Sequence, residues 1–465
     1  MIFSNYTKIF PHFNDPDSVV LFSTKNASTI VIPASMVKDI EAGKITEEET
    51  KTLSELGFLV RSREEEKEEM LRYIDELNTA DPIFAAKVVM NLDCNLACKY
   101  CFEGSRKGKF YMSRETADHF LEFVKSKIPL SPPLSKGDSN ISTKKGSVND
   151  PTLAKGGAGG FFEEIRITFY GGEPLLSVDL IAYISEKIKA LAEDNGLTYN
   201  AYIVTNGTLL TRRVVERLKA CGLKEASVTV DGPKDIHDIY RPFKGGRGSF
   251  DSIIRNLRDI SDMIEVEVGG NFTKDNYRDF PLLLDYMMDN GLTPDRLSGV
   301  RFDPVTKETE GIATPDFNDG CGNINEPWLV EASTFLREEI LRRGYRMHNV
   351  VPMPCLIDMT ARIIVNYNGD IYKCPGLIGR EEFRVGDIKA GIKDYRQSHN
   401  LDNWKNEECL NCSYLPLCFG GCRYMKLVRD GNINGVDCKR PYLDATLERL
   451  IYQDIELTRS KQPVP

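Results

Sequence analysis

Between Pro82 and about Val305 the sequence alternates short apolar runs with amphipathic stretches, and no other feature narrows the fold as far. Apolar runs lie at Phe84–Leu92, Ile165–Tyr170, Asn200–Thr205, Ala226–Val230, Val266–Phe272 and Val300–Pro304. Helical stretches fall between them at Ser113–Lys127, Ser177–Asn195, Thr211–Ala220, Phe250–Asp262 and Tyr277–Asn290. Repeated β–α units of this length predict an α/β fold built on a parallel sheet. Residues 129 to 161 break the pattern. They are rich in Pro, Gly, Ser and Lys and poor in large apolar groups, and read as a disordered insert between the first helix and the second strand. Its glycine run, Gly156 to Gly160, has neither a preceding strand nor the Lys-Ser/Thr of a phosphate loop, so phosphate binding is set aside.

Directly after the first apolar run comes Cys94-x3-Cys98-x2-Cys101, with Tyr100 just before the last thiol. Three thiolates on one tight loop hold three irons of a cubane cluster and leave the fourth iron open to a substrate. A structural zinc site is the competing explanation, but zinc usually takes four ligands in paired C-x2-C or His spacing, which this triplet does not supply. The chain has 12 cysteines and begins without a charged segment followed by an apolar run, so a secretion signal is not expected and metal ligation is favoured over disulfides. No apolar stretch approaches the ~18 residues of a membrane span. A net charge of −9 disfavours a nucleic-acid surface. A soluble, cytoplasmic protein is expected, with no nucleic-acid or membrane partner.

The CxxxCxxC triplet behind an apolar strand resembles the radical S-adenosylmethionine (SAM) superfamily, and Tyr170-Gly171-Gly172-Glu173-Pro174 after the second strand strengthens the likeness. Two glycines let backbone approach a ligand, and a carboxylate accepts hydrogen bonds from an ammonium. The resemblance implies a partial (β/α)6 barrel with ligands at the C-terminal strand ends. It also implies that Cys94, Cys98 and Cys101 hold the SAM-cleaving 4Fe–4S cluster. Gly171, Gly172 and Glu173 would bind the methionyl amine, Thr205 and Asn206 would contact SAM, and Arg241 would grip its carboxylate bidentately. Tyr100 is a further candidate cofactor contact. His237 is expected to be a hydrogen-bonded structural residue, and Cys221 a small buried hydrophobe.

A second cysteine group lies toward the C-terminus: Cys355, thirteen residues, Gly369, four residues, Cys374, then Cys409-x2-Cys412-x5-Cys418-x3-Cys422 and, fifteen residues later, Cys438. These spacings resemble the SPASM domain of radical SAM peptide-modifying enzymes. By that resemblance, Cys409, Cys412, Cys418 and Cys438 hold one auxiliary 4Fe–4S cluster. Cys355, Cys374 and Cys422 would hold the other, making three clusters in all. Seven thiols leave one iron open, to be closed by Cys321 or by a substrate thiolate.

Residues 1 to 80 read as a hairpin, Ser18–Ser23 with Ser28–Ile32, followed by three helices. This resembles the PqqD-like winged-helix domain that binds leader peptides by adding a strand. The expected division is therefore a recognition domain at 1–80, a radical SAM core at 82–310, a SPASM domain at 311–440 and a C-terminal helix and tail at 441–465. The resemblance implies a maturase acting on a ribosomally made precursor peptide, similar to geopeptide and thioether-forming maturases, with a reductant such as flavodoxin or ferredoxin. An anaerobic sulfatase maturase is the nearest alternative. Those enzymes carry an acidic residue after the second SPASM cysteine, where this chain has Pro375. A non-catalytic iron–sulfur adaptor is the alternative from another class.

Overall fold

The computed structural model describes residues 1–101, 104–128, 162–306 and 320–458. The insert expected at 129–161 lies outside these residues. The N-terminal unit contains β1 (Ile2–Phe3), β2 (Thr7–Pro11), β3 (Ser18–Ser23), β4 (Thr29–Pro33), α1 (Ala34–Glu41), α2 (Glu47–Glu55), β5 (Leu59–Val60) and α3 (Arg63–Ala80). The expected hairpin forms as β3 and β4, and β2 adds to the other side of β3, so the sheet order is β2-β3-β4. Helix α2 starts at a capping box: Glu49 N donates to Thr46 Oγ1 at 3.1 Å and Thr46 N donates to Glu49 Oε2 at 2.8 Å.

The core follows as β6 (Ile83–Asn91), α4 (Arg114–Lys127), β7 (Glu164–Gly171), α5 (Val178–Asp194), β8 (Thr198–Thr205), α6 (Arg212–Ala220), β9 (Leu223–Thr229), α7 (Lys234–Tyr240), α8 (Phe250–Ile260), β10 (Glu265–Phe272), α9 (Phe280–Asp289) and β11 (Gly299–Pro304). Strands β6 to β11 are parallel and lie side by side in chain order. Alternation along each strand separates two faces. On β7, Ile165, Ile167 and Phe169 are fully buried in the core shared with the helices, each stabilising by about 1.5–3 kcal/mol. The intervening, half-buried residues face the other way, and they are polar more often than not.

The remaining elements are α10 (Pro327–Arg342), β12 (Arg362–Val365), β13 (Asp370–Tyr372), β14 (Gly386–Asp387), β15 (Gly391–Ile392), α11 (Glu407–Leu410), α12 (Leu415–Cys418), α13 (Arg423–Asp430) and α14 (Arg440–Thr458). The cysteine-rich region does not begin as a separate body. Strand β12 pairs in parallel with β6, and β13 to β15 extend the same sheet, covering an edge that would otherwise expose unpaired backbone. The N-terminal unit also packs on this region. Tyr6, Met70 and Ile74 share a cluster with Trp404, Leu410 and Phe419, and Val20 and Phe22 share one with Tyr414, Leu417 and Leu447. Thr24 Oγ1 donates to the Ser413 carbonyl at 2.7 Å.

Candidate active site at the strand mouths

The two glycines at the end of β7, Gly171 and Gly172, are required by how closely the chain crosses the end of β6. Gly171 has φ +133°, and a Cβ there would lie 2.2 Å from the Asn91 carbonyl oxygen. A Cβ on Gly172 would lie 2.2 Å from the Asp93 carbonyl oxygen. Gly172 N donates to Asn91 O at 3.0 Å and Glu173 N donates to Asp93 O at 2.7 Å. The Gly-Gly-Glu segment therefore clips the backbone that enters the cysteine loop.

The Glu173 side chain differs from its expected placement. It is 0% exposed and points into the protein, where Oε1 accepts from Leu175 N at 3.0 Å and Thr205 Oγ1 at 2.7 Å, and Oε2 accepts from Asn206 N at 2.8 Å. Burial raises its pKa, and the donors at Asn206, Thr205 and Leu175 pull it back. The carboxylate holds the end of β8 rather than lining the cavity; the backbone of Gly171 and Gly172 lines it instead. Asn206 is set by the same contacts: Nδ2 donates to Asn95 Oδ1 at 2.8 Å and lies 3.7 Å from the Cys94 sulfur.

Arg241 and Tyr100 form a clamp with two residues that sequence reasoning had not assigned, Asp231 and Asn271. Arg241 Nη1 donates to Tyr100 Oη at 2.6 Å, Asn271 Nδ2 donates to the same oxygen at 3.1 Å, and Tyr100 Oη bonds Asp231. Arg241 Nη1 lies 3.7 Å from Asp231 Oδ2, while Arg241 Nε is buried and has no partner among the described residues. His237 supports the clamp from behind. Its Nδ1 accepts from Asp231 N at 3.0 Å, so Nε2 carries the proton toward Ser249 Oγ at 3.0 Å, and Ser249 Oγ donates to the Arg241 carbonyl at 2.6 Å. Burial, then the Arg241 charge, pushes the His237 pKa down to about 3, so the ring stays neutral. The Asp231-Gly232-Pro233 strand end was the one available sequence signal; a pairing across 131 residues with Tyr100 leaves no local pattern.

A cavity of about 460 Å³ opens at the C-terminal ends of the parallel strands, with Cys94, Cys98 and Cys101 on its wall. The cavity-facing side of the sheet adds Lys87, Tyr170, Ser227, Thr229, Arg301 and Asp303. Burial raises Cys98 to about 11, with Arg241 opposing, and burial likewise raises Cys94. Burial would lower Lys107, but the Cys101 and Cys94 thiolates outweigh it and hold its pKa above the ordinary value. Among the described residues, no group of three His, Cys, Asp or Glu side chains converges to hold a single metal ion. A cubane instead takes thiolates spread around its corners. The unpartnered Arg241 Nε and the backbone cradle at Gly171–Gly172 suit a ligand carboxylate and a closely approaching amine. A larger, more open hollow of about 760 Å³ at the opposite strand ends contains none of the triplet.

The C-terminal cysteines separate into two groups. Cys409, Cys412, Cys418 and Cys438 line one small cavity. Cys374 is raised to about 12 by burial and then by the Cys422 and Cys355 thiolates, which identifies its neighbours. Pro375, Gly376 and Tyr424, beside Cys374 and Cys422, reach the wall of the large cavity. Cys321 joins neither group. It is buried in the main core, its amide donates to the Val305 carbonyl at 2.7 Å, and burial followed by Glu326 raises its thiol to about 12. Cys221 is buried at the end of α6, as expected for a small hydrophobe.

Six parallel strands with a thiol triplet at their C-terminal mouth define an α/β protein built to hold a cluster and a small ligand. Residues 158–286 match the model of the radical SAM superfamily. The superfamily implies a 4Fe–4S cluster and SAM. Fe-coproporphyrin III synthase of Methanosarcina barkeri is 29% identical over 204 residues, 43% of this chain; the alignment spans only 40% of that relative's length. Radical SAM cyclopropyl synthase TigE of Paramaledivibacter caminithermalis is 23% identical over 82% of this chain and 78% of its own. The cysteine-type anaerobic sulfatase-maturating enzyme of Clostridium novyi is 21% identical over 77% of this chain and 94% of its own. Among solved structures, anSMEcpe with bound AdoMet and Cp18Cys peptide matches with a TM-score of 0.58 and 17% identity, over 80% of this chain and 98% of that one. Streptococcus suis SuiB bound to precursor peptide SuiA gives 0.52 and 14%, over 94% and 98%. These structures share the α/β fold and its parallel sheet. Among the described residues, no helix is long and apolar enough to cross a membrane.

Proposed function

We propose that this protein is a radical SAM maturase that modifies a ribosomally made precursor peptide, with thioether closure as the product. The observation that carries the reading is one cavity in which Cys94, Cys98, Cys101, Arg241 and the Gly171–Gly172 backbone meet Pro375, Gly376 and Tyr424 from beside the second cysteine group. Cys94, Cys98 and Cys101 would hold the cluster that receives SAM. Arg241 would take the SAM carboxylate, and Tyr100, Asn206 and Thr205 would hold the surrounding groups in register. Glu173 positions Thr205 and Asn206. Bound together, cluster and SAM supply one-electron cleavage of SAM and hydrogen-atom abstraction from an unactivated carbon. Cys355, Cys374 and Cys422 would hold one auxiliary cluster and Cys409, Cys412, Cys418 and Cys438 the other. The first set has three thiols, which leaves a corner for a substrate thiolate. Asp303, on the cavity wall and paired with Arg301 at 3.0 Å, would take the proton that the substrate thiol loses on becoming a thiolate.

Residues 1–80 would hold the leader peptide at β4, an edge strand paired on one side only. A flavodoxin or ferredoxin would supply electrons. Peptide action is supported by SuiB, solved with its precursor peptide, and by anSMEcpe, solved with a peptide. A second reading, formylglycine formation, is favoured by the sulfatase-maturating relatives. Pro375 stands against it.

The test is anaerobic turnover by the reconstituted full chain with SAM and dithionite. The expected products are 5′-deoxyadenosine and methionine; full iron content without cleavage overturns the enzyme reading in favour of an adaptor. Mass spectrometry of a Cys-containing precursor should then show loss of two hydrogens with a blocked thiol. A formylglycine product instead would establish the second reading.

A further inference from the structure

The loop that holds the triplet has two sides. Cys98 and Tyr100 line the cavity, whereas Lys99 between them is exposed. Three chain segments are stitched together on that outer side. Lys99 N donates to Tyr240 O at 3.0 Å, Ala97 N to Pro242 O at 2.8 Å, and Lys244 N to Asn95 O at 3.0 Å. From the other flank, Gly108 N donates to Leu92 O at 3.1 Å and Leu92 N to Phe110 O at 2.9 Å. The exposed side chains brought together are the cations Lys99, Lys109, Lys244 and Arg247, with Phe110 and Tyr111 among them. Phe110 is 49% and Tyr111 42% exposed. The carboxylate at its centre, Asp93, is already committed to Lys244 at 2.9 Å and Tyr111 at 2.7 Å. On a chain of net charge −9 this is a local reversal of sign.

We propose that this outer face of the cysteine loop is the docking surface for an acidic protein that donates single electrons. The inference rests on the radical SAM reading, since it gives the triplet a redox cluster. One electron leaves the donor, which is oxidised, and enters the cluster at Cys94, Cys98 and Cys101, which is reduced. A basic rim around a few apolar side chains suits such a partner. Redox encounters are small and transient, and charge complementarity raises their on-rate more than their affinity.

The test compares the full-length wild type with a Lys109→Glu/Arg247→Glu variant, neither residue lining the cavity. The probe is reduced flavodoxin of net negative charge. Calorimetry at low salt should show flavodoxin binding weakened by about tenfold or more in the variant, and the wild-type affinity alone should fall steeply with added salt. Flavodoxin-driven 5′-deoxyadenosine formation should fall in parallel, while the dithionite-driven rate stays within about twofold. Unchanged flavodoxin affinity and rate would overturn the proposal. So would an equal fall under dithionite, or weakened precursor-peptide binding with flavodoxin affinity intact, which would give the face to the peptide. A wild type that cleaves no SAM under dithionite would refute the function, while the calorimetry would still report on docking.

Discussion

Replacing Gly172 by alanine is expected to damage both stability and turnover, because the new Cβ would meet the Leu92–Asp93 backbone. It would lie 2.2 Å from Asp93 O, 2.7 Å from Asp93 C and 3.0 Å from Leu92 C. Contacts below 3.0 Å are essentially never seen for a real Cβ, so the chains must separate by about 0.8 Å. Backbone cannot swing aside as a side chain does, so the cost falls in the upper part of the about 1–3 kcal/mol typical of overpacking. The displaced segment runs straight into Cys94. A shift of about 1 Å near a reacting centre can cost roughly a hundredfold in rate. Anaerobic urea unfolding of the cluster-free protein measures the first effect, and 5′-deoxyadenosine formation at matched iron content measures the second. Gly196→Ala is the control: φ is +69° there and nothing lies within 4 Å, so only the left-handed backbone penalty of about 1–2 kcal/mol should appear, with turnover intact. A Gly172→Ala protein within about 0.5 kcal/mol of wild type and fully active would refute the clip between β7 and the cysteine loop.

Arg241→Lys keeps the charge but removes the planar fork and Nε, so SAM affinity measured by calorimetry should fall about tenfold or more, while Tyr100 and Asp231 keep a cation between them. His237 should make stability depend on acid. Its folded pKa, about 3, lies below its ordinary value of 6.5, so the unfolded chain binds the extra proton. Stability is therefore full above about pH 6.5 and falls toward pH 3 by at most about 1.4 kcal/mol per pH unit; His237→Gln should remove that component from urea midpoints measured across the range. Asp358→Asn should cost about 3–5 kcal/mol in urea unfolding, because it leaves buried Arg423 without the carboxylate that it grips bidentately at 2.8 and 3.0 Å.

Deletion of residues 1–80 would be a poor probe of leader binding. It would strip Tyr6, Val20, Phe22 and Met70 from the clusters around Trp404 and Tyr414 and expose the segment carrying Cys409 and Cys412. Substitutions on the exposed edge of β4, such as Val31, 38% exposed, leave that packing in place.

The sequence by itself determined the elements and the nearby spacings. Six strands and the five helical stretches between them were legible because a strand repeats every two residues and a helix every 3.6, so the pattern sits within a dozen residues of chain. Cys94, Cys98 and Cys101 were legible for the same reason, as was the need for Gly171 and Gly172 to be small. The hydrogen-bonded, structural role expected of His237 also holds in the structure. Tertiary packing decided everything that joins distant segments. It turned Glu173 inward to Thr205 and Asn206, although the motif alone suggested a carboxylate facing ligand. It built the clamp of Tyr100, Asp231, Arg241 and Asn271 from two strand ends, the end of α7 and a loop, and it put Cys321 in the core instead of beside Cys355, Cys374 and Cys422. It also laid β12 against β6 and the N-terminal unit against the C-terminal cysteines. Such choices depend on which buried polar groups find partners and which apolar faces cover one another. Both are properties of surfaces that meet only once the chain has folded.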